Sequence, residues 1–422
     1  MMNKEFYKRK SCRLCGHEKL EDVIELTPTP PGNNFLSKTQ LDKPESFYPL
    51  IVCFCLSCTH VQLSVVVNPE ILYQDDYKYV SGTSPVFIEH FRQYAEDILA
   101  QYRISPEALV ADIGSNDGTC LRFFKNAGFN VLGVDPATEI ADKATAQGIP
   151  TVADFFTESL GKKLLTENGP AHLITSHNAC AHIDDLIGLM RGVRHWLADD
   201  GLFVFEVGYL LDVYNNTWFD TMYHEHLDYH SVKPLVPFFE SLDMELFSVK
   251  RVSPQGGSIR LHVQKTGGPH LVDSSVEELV RLEEEIGLDK AKTFRAFNSK
   301  INTVKQALSE ILRSLKSQGK RIAGYGAPTK STTLLTHFDI GGDILDFIVD
   351  DNPLKQGKFS PGFHIPIVAS DELYKQKPDY LVILAWNFDE PIMEKHQEYK
   401  NLGGQFILPM PKAHVVNRRK VS

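Results

Sequence analysis

Ala108-Leu-Val-Ala-Asp112-Ile-Gly114-Ser-Asn116-Asp-Gly118-Thr119 decides the fold of this chain. An apolar run ends in Asp112, a turn rich in glycine and short polar residues follows, and the pattern reads as a buried strand, a tight turn and a helix start. Glycine at 114 and 118 lets backbone come close to a ligand where a Cβ would collide. A second strand over 130–134 ends in Asp135, about twenty residues past the turn, where a carboxylate can take both hydroxyls of a ribose. The spacing is D-x-G-x-x-x-G, without the middle glycine that admits a pyrophosphate. S-adenosylmethionine (SAM) has no pyrophosphate. The turn therefore favours SAM over a dinucleotide, with Asp112, Gly114, Asn116, Gly118 and Asp135 as candidate cofactor contacts. An ordinary strand-turn-helix would not need Asp112, Gly118 and Asp135 together.

Outward from this turn the chain alternates. The pattern predicts helices over 86–102, 118–127, 138–147 and 184–197, and strands over 130–134, 150–153, 171–176 and 201–207, hence an α/β domain with a doubly wound parallel sheet. Asp154-Phe155-Phe156 follows the third strand, where Asp154 could reach an adenine amino group and Phe155 could cover the ring; two core phenylalanines are the equal alternative. Ser176-His177-Asn178-Ala-Cys180-Ala-His182 follows the fourth strand, at the carboxyl edge where open α/β sheets bind ligands, which makes Asn178 a cofactor candidate and raises His182 above an ordinary loop histidine.

Tyr223-His224-Glu225-His226-Leu-Asp228-Tyr229-His230 is the second concentration of chemistry. A metal reading lacks the H-E-x-x-H spacing. Proton transfer by a histidine near a carboxylate is preferred. Arg260, in Gly256-Gly-Ser-Ile-Arg260, could bind a diphosphate or simply pair on a sheet.

Near the amino terminus, Cys12-Arg-Leu-Cys15 and Cys55-Leu-Ser-Cys58 each offer two thiolates from one turn, and four thiolates complete a structural Zn²⁺ tetrahedron with no open position for chemistry. Cys53, His17 and His60 are the lesser alternatives. Thr27 to Asn33 is Pro-rich and 48–55 alternates like a strand, so a zinc-stapled module precedes the α/β domain. Tyr73, Tyr77 and Tyr79 lie beside a polar loop and could close a pocket or pack a domain seam.

The chain has 422 residues, a formal net charge of -10 and seven cysteines. That charge argues against general binding to nucleic acid or anionic membranes. No apolar run reaches membrane-spanning length and no signal peptide is evident, so a soluble cytoplasmic protein is expected. Residues 274–318 read as two amphipathic helices. Arg321–Tyr325, the turn Gly324-Tyr-Gly326-Ala-Pro-Thr-Lys330, and strands over 345–350 and 380–385 form a second α/β unit. That turn can bind phosphate through backbone N–H groups, with Lys330, Lys355 and Lys358 adding charge. A complete NAD site is disfavoured by the glycine spacing.

These residues together resemble the SAM-dependent C-methyltransferases that act on nucleotide-linked 4-keto-deoxysugars, typically at C-3, in branched-sugar biosynthesis. The likeness rests on the four-cysteine module, DIGSNDGT, GVDPA at 133–137, DFF at 154–156, NACAH at 178–182, TMYHEHL at 221–227, GGSIR at 256–260, GYGAPTK at 324–330 and the run from Asp346 to Ile367. Gly208 stands where the family commonly has proline, and Cys53 is an additional thiol. The resemblance implies a zinc module at 1–72, a SAM-dependent methyltransferase domain at 73–270, and a helical linker with a Rossmann-like domain at 271–422 that helps hold the sugar nucleotide. It further implies that Tyr77, His182, Tyr223, Glu225 and His226 surround the sugar, with His226 as base. An NAD-dependent reductase or epimerase of nucleotide sugars, and a zinc-ribbon nucleic-acid methyltransferase, are the rival readings. Oligomeric state is open.

Overall fold

Leu109–Ile113 lies inside a seven-stranded sheet ordered Thr151–Val152, Asn130–Val134, Leu109–Ile113, Ala171–His177, Leu197–Gly208, Ser258–Lys265, Met244–Val252. The computed structural model describes residues 5–72, 82, 85–253 and 256–416. The first five strands are parallel. The last two are antiparallel to their neighbours, so the sheet is mixed rather than wholly parallel. The chain leaves 109–113 for 130–134 on one side and comes back to 171–177 on the other, which opens a crevice at the carboxyl end of 109–113.

Packing explains the helices. Pro85–Gln101 buries Phe91, Tyr94, Ala95 and Ile98, one face of a 3.6-residue repeat, against the sheet. Thr119–Asn126 starts at Gly118, whose φ of +73° ends the turn without the strain a Cβ would bring. Glu158–Asn168, absent from the sequence reading, is capped by the Thr157 hydroxyl, which accepts from the Leu160 N–H at 3.2 Å.

The amino-terminal strands Leu20–Thr29, Tyr48–Cys55 and Val61–Leu63 form an antiparallel sheet. Its fourth strand, Asp228–Tyr229, comes from the histidine-rich segment about 165 residues later in the chain, pairing Asp228 with Gln62 and Tyr229 with Val61. The module therefore shares backbone hydrogen bonds with the histidine-rich segment itself, including Leu63 N–H to Leu227 O at 2.8 Å.

Ser274–Ile286 and Ala291–Ser317 are the two expected helices. The longer buries Phe294, Phe297, Ile301, Val304, Leu308 and Leu312 at spacings of three or four. The carboxyl-terminal sheet is ordered Ile367–Val368, Ile348–Val349, Ile322–Tyr325, Tyr380–Ile383, Gln405–Leu408, His414–Val415, parallel except for its last strand. It is a second Rossmann-like unit. Among the described residues no helix is long and apolar enough to cross a membrane.

Candidate functional site

The turn after Leu109–Ile113 carries three consecutive departures to positive φ at alternate positions: Gly114 at +75°, Asn116 at +50° and Gly118 at +73°. A Cβ on Gly114 would meet Ala179 at 2.7 Å, and one on Gly118 would meet Ile149 at 2.8 Å. Both glycines are thus required by the protein's own packing, a reason the sequence reading, which assigned them to ligand approach, did not contain. Asp135 accepts from the Asn116 N–H and the Ala137 N–H, both at 2.9 Å, which fixes its carboxylate beside the turn. Thr175 Oγ1 donates to Asp112 at 2.8 Å. Burial pushes Asp112 up to about 7 against that hydrogen bond, with the nearby Asp135 charge adding to the rise. Asp135 is likewise raised by burial.

Two buried carboxyls with no cationic partner among the described residues suit a ligand that is itself cationic and rich in hydroxyls. Among the described residues, the Ser115 hydroxyl and both ring nitrogens of His177 are also buried without a hydrogen-bond partner. This donor set fits SAM, which carries a sulfonium, an ammonium and a ribose. Asn178, at φ +60°, is held by its N–H to Glu206 O at 2.8 Å. Of the two phenylalanines, Phe156 is core and stacks on Trp196, whereas Phe155 is 56% exposed beside the crevice with Asp154.

The proton-transfer candidates converge. His226 Nδ1 lies 2.8 Å from the Thr221 carbonyl and its Nε2 lies 2.7 Å from the Tyr223 hydroxyl. A carbonyl can only accept, so the ring proton sits on Nδ1, and the Nε2 lone pair accepts from tyrosine. Burial pushes His226 down to about 4; the Thr221 carbonyl opposes this and the Lys330 charge adds to it. The ring of His182 meets that of His226 edge-on at 5.0 Å, because Leu227 N–H donates to Ala181 O at 2.7 Å and ties the two segments together. Burial and the nearby His226 push His182 down to about 3.

Glu225 does not orient His226. Its carboxylate accepts from Asn33 Nδ2, at 2.9 Å to Oε1 and 3.3 Å to Oε2. Burial raises it to about 7 against that hydrogen bond. Tyr77 falls outside the described residues. Of the two readings of Arg260, pairing on the sheet holds: its Nε donates at 2.6 Å to Glu206, its cross-strand neighbour, it reaches Asp97 at 3.2 Å, and it lies over Tyr94, which leaves it committed away from a diphosphate. Burial alone would raise Glu206, but the His90 hydrogen bond and the charges of His177 and Arg260 hold it down at about 2.

The sulfurs of Cys12, Cys15, Cys55 and Cys58 all lie within 4.8 Å of one another, with Cys12–Cys58 at 3.5 Å and Cys15–Cys55 at 3.6 Å. Thiolates about 2.3 Å from a tetrahedral Zn²⁺ stand roughly 3.8 Å apart, so the cluster fits the ion. Its two halves repeat each other: Gly16 N–H donates to Cys12 O and Thr59 N–H to Cys55 O, with φ of +72° and +70°. Cys53 is buried in its strand outside the cluster. His60 Nε2 instead bonds Asp228 at 2.6 Å, and His17 Nδ1 accepts from the Lys19 N–H.

Sequence reasoning missed Arg13, inside the first cysteine pair. It is fully buried, donating to Leu63 O at 2.7 Å, Leu227 O at 3.2 Å and Asp184 Oδ1 at 2.8 Å. The zinc knuckle thus clamps the loops that carry His182 and His226. Only a charged residue between two ligand cysteines signals it, and surface exposure is the ordinary fate of such a residue.

The second glycine turn also borders the site. Thr333 Oγ1 donates to Met222 O at 3.1 Å and Thr332 Oγ1 to Gly32 O at 3.2 Å. Lys330 Nζ donates to Asn387 at 2.7 Å over the face of Trp386, whose Nε1 donates to Asp220 at 2.7 Å. Burial pulls the Lys330 ammonium below the usual lysine range and pushes Asp220 up. Asp350 accepts the Ala327 N–H at 2.7 Å and Lys355 donates to Ala327 O at 2.8 Å, so protein groups occupy that turn.

A Rossmann-like sheet with this cofactor crevice and a four-cysteine zinc module defines a SAM-dependent methyltransferase. A family model described as C-methyltransferase C-terminal domain matches residues 253–411, one described as Methyltransferase domain matches 87–246, and one described as "Putative zinc binding domain" matches 12–73. C-methyltransferase NovU of Streptomyces niveus is 35% identical over 406 residues, spanning 96% of this chain and 96% of that protein. Similar solved structures include the PH0226 protein of Pyrococcus horikoshii OT3, with 14% identity, a TM-score of 0.37 and coverage of 46% of this chain and 97% of that one. Magnesium protoporphyrin IX methyltransferase of Synechocystis PCC 6803 with bound SAH has 12% identity, a TM-score of 0.34 and coverage of 42% and 83%. This chain belongs to the C-methyltransferase family with an amino-terminal zinc-binding domain, and SAM is its methyl donor.

Proposed function

We propose that the protein methylates the carbon next to the ketone, C-3, of a nucleotide-linked 4-keto-deoxysugar. The observation that carries this reading is the His226 imidazole, pinned at Nδ1 by the Thr221 carbonyl and presenting an unprotonated Nε2 to the pocket through Tyr223. A methyl acceptor that is carbon must first lose a proton, and a ketone makes the neighbouring C–H acidic enough for a neutral imidazole to remove it. The proton passes to His226 Nε2, directly or by way of the Tyr223 hydroxyl, and the electron pair moves onto the ketone oxygen. His182, 5.0 Å from His226 ring to ring, is placed to hydrogen-bond that developing oxyanion. Glu225 takes a sugar hydroxyl. SAM, held by Asp112, Asn116, Asp135, Asp154, Phe155 and Asn178, supplies the electrophilic methyl group when bound. The carboxyl-terminal unit brings the Lys330 charge close enough to act on His226, and it is the part of the chain assigned to the nucleotide end of the substrate.

Mass spectrometry of the purified protein with SAM and a panel of nucleotide-linked 4-keto-6-deoxysugars in deuterated water tests the reading. A gain of one methyl group with S-adenosylhomocysteine formed, and NMR assignment to C-3, is the expected result. Deuterium uptake without methyl gain would instead indicate an epimerase, and neither signal on any keto sugar would remove the substrate class.

A further inference from the structure

Glu225 belongs to the central domain, yet the group that holds its carboxylate belongs to neither that domain nor the substrate. Asn33 closes the Pro-rich segment of the zinc module, and its Nδ2 donates to both oxygens of Glu225, at 2.9 and 3.3 Å. The other end of the same amide is also committed: Asn33 Oδ1 accepts from Thr329 Oγ1 at 2.7 Å, at the start of the Thr329–Phe338 helix of the carboxyl-terminal unit. An amide has one acceptor and one donor end, and an ionised carboxylate can only accept, so Nδ2 faces Glu225 and Oδ1 is left to take the Thr329 hydroxyl, which holds the amide in that sense. The approach is tight. A Cβ on Gly32 would lie 2.6 Å from the Thr329 methyl and 2.8 Å from its carbonyl oxygen, so only glycine lets Asn33 reach this place.

We propose that Asn33 is a positioning residue for the reaction, through which the zinc module and the carboxyl-terminal unit together set the orientation and ionisation of Glu225. The inference rests on the keto-sugar reading above. The carboxylate is buried and, among the described residues, no cationic side chain pairs with it; burial drives it toward the neutral acid, and the Asn33 amide favours the anion. Without the amide, Glu225 turns freely and stays protonated further into the neutral range, so it no longer accepts a sugar hydroxyl in one fixed geometry. Pro30 and Pro31 restrict the chain that delivers Asn33, and the zinc cluster anchors the module from which it extends. This gives the module a part in the reaction beyond folding, without a metal at the reacting atoms.

The test uses the full-length, zinc-loaded protein and follows deuterium uptake and methyl transfer on the keto sugar. Asn33→Ala is expected to lower kcat for both by about ten- to hundredfold, the scale of a hydrogen bond to a charged group, with the KM for SAM unchanged. Gly32→Ala, which leaves the amide in the chain but pushes it off Thr329, is expected to reproduce the loss. In a Glu225→Gln background, Asn33→Ala should cause no further loss, because it acts through the carboxylate already removed. Zinc content and melting temperature of each variant separate this from unfolding. Full activity of Asn33→Ala, or losses that multiply with those of Glu225→Gln, overturns the inference while leaving the keto-sugar reading intact. A wild-type protein that neither exchanges nor methylates any keto sugar overturns both.

Discussion

His226→Asn is the most informative single change. The asparagine amide overlays the Nδ1 half of imidazole, so it retains the donor to the Thr221 carbonyl, 2.8 Å away in the wild type, and deletes only Nε2. The substitution therefore removes the base while sparing its anchor. General-base catalysis contributes about 10²- to 10⁴-fold, or roughly 3–5 kcal/mol of barrier. Tyr223 loses its acceptor at the same time, which costs about 1 kcal/mol of stability. Deuterium uptake at the acidic carbon, measured alone and then with SAM present, reports the proton step directly. The pH profile adds a second signature. With His226 pushed down to about 4, its protonation should lower kcat/KM only below about pH 5, while protonation of Glu225, raised to about 7, adds a separate limb near neutral pH that Glu225→Gln removes. A variant within threefold of wild type would refute the assignment of the base, and an acid limb near 6.5 that persists in Glu225→Gln would refute the burial argument for His226.

Other outcomes are equally specific. One zinc per chain is expected by elemental analysis, and its removal by a chelator should lower the melting temperature and abolish methyl transfer together, since Arg13 and the Asp228–Tyr229 strand tie the module to the loops of His182 and His226; independent loss of one without the other would contradict that coupling. Gly118→Ala places a Cβ at φ +73° and 2.8 Å from Ile149, so it should cost about 1–3 kcal/mol by thermal denaturation and weaken SAM binding by calorimetry. Stability should fall on acidification. His177, His224, His226, His230 and His262 are pushed down to about 4 and His182 to about 3 by burial, so each contributes stability that is present above about 6.5 and is lost as pH falls toward 4. Asp112 and Glu225, raised to about 7, act oppositely, gaining over the same descent. The histidines outnumber them, so urea midpoints measured from pH 7 to 4.5 should decline; a flat profile would mean these rings are hydrated.

What the sequence determined by itself was local. A turn needing positive φ leaves a glycine signature, paired thiolates leave a two-residue gap, and a helix packed on one face leaves a 3.6-residue repeat, as at Phe294, Phe297, Ile301, Val304, Leu308 and Leu312. The zinc cysteines, the crevice after Ile113, both long linker helices and the carboxyl-terminal α/β unit were legible for that reason. Tertiary structure alone decided which distant groups meet. Asn33 and Glu225 are 192 residues apart, and Arg13 and Leu227 are 214 apart; no spacing rule spans such distances, because the contact depends on how two surfaces dock rather than on the backbone between them. The same holds for Arg260, for which the sequence left a diphosphate contact and a partner on the sheet both open, and whose guanidinium lies against Glu206 on the next strand. A buried charge takes whichever partner the packing of its neighbours supplies, and that partner is chosen only when the sheet is assembled.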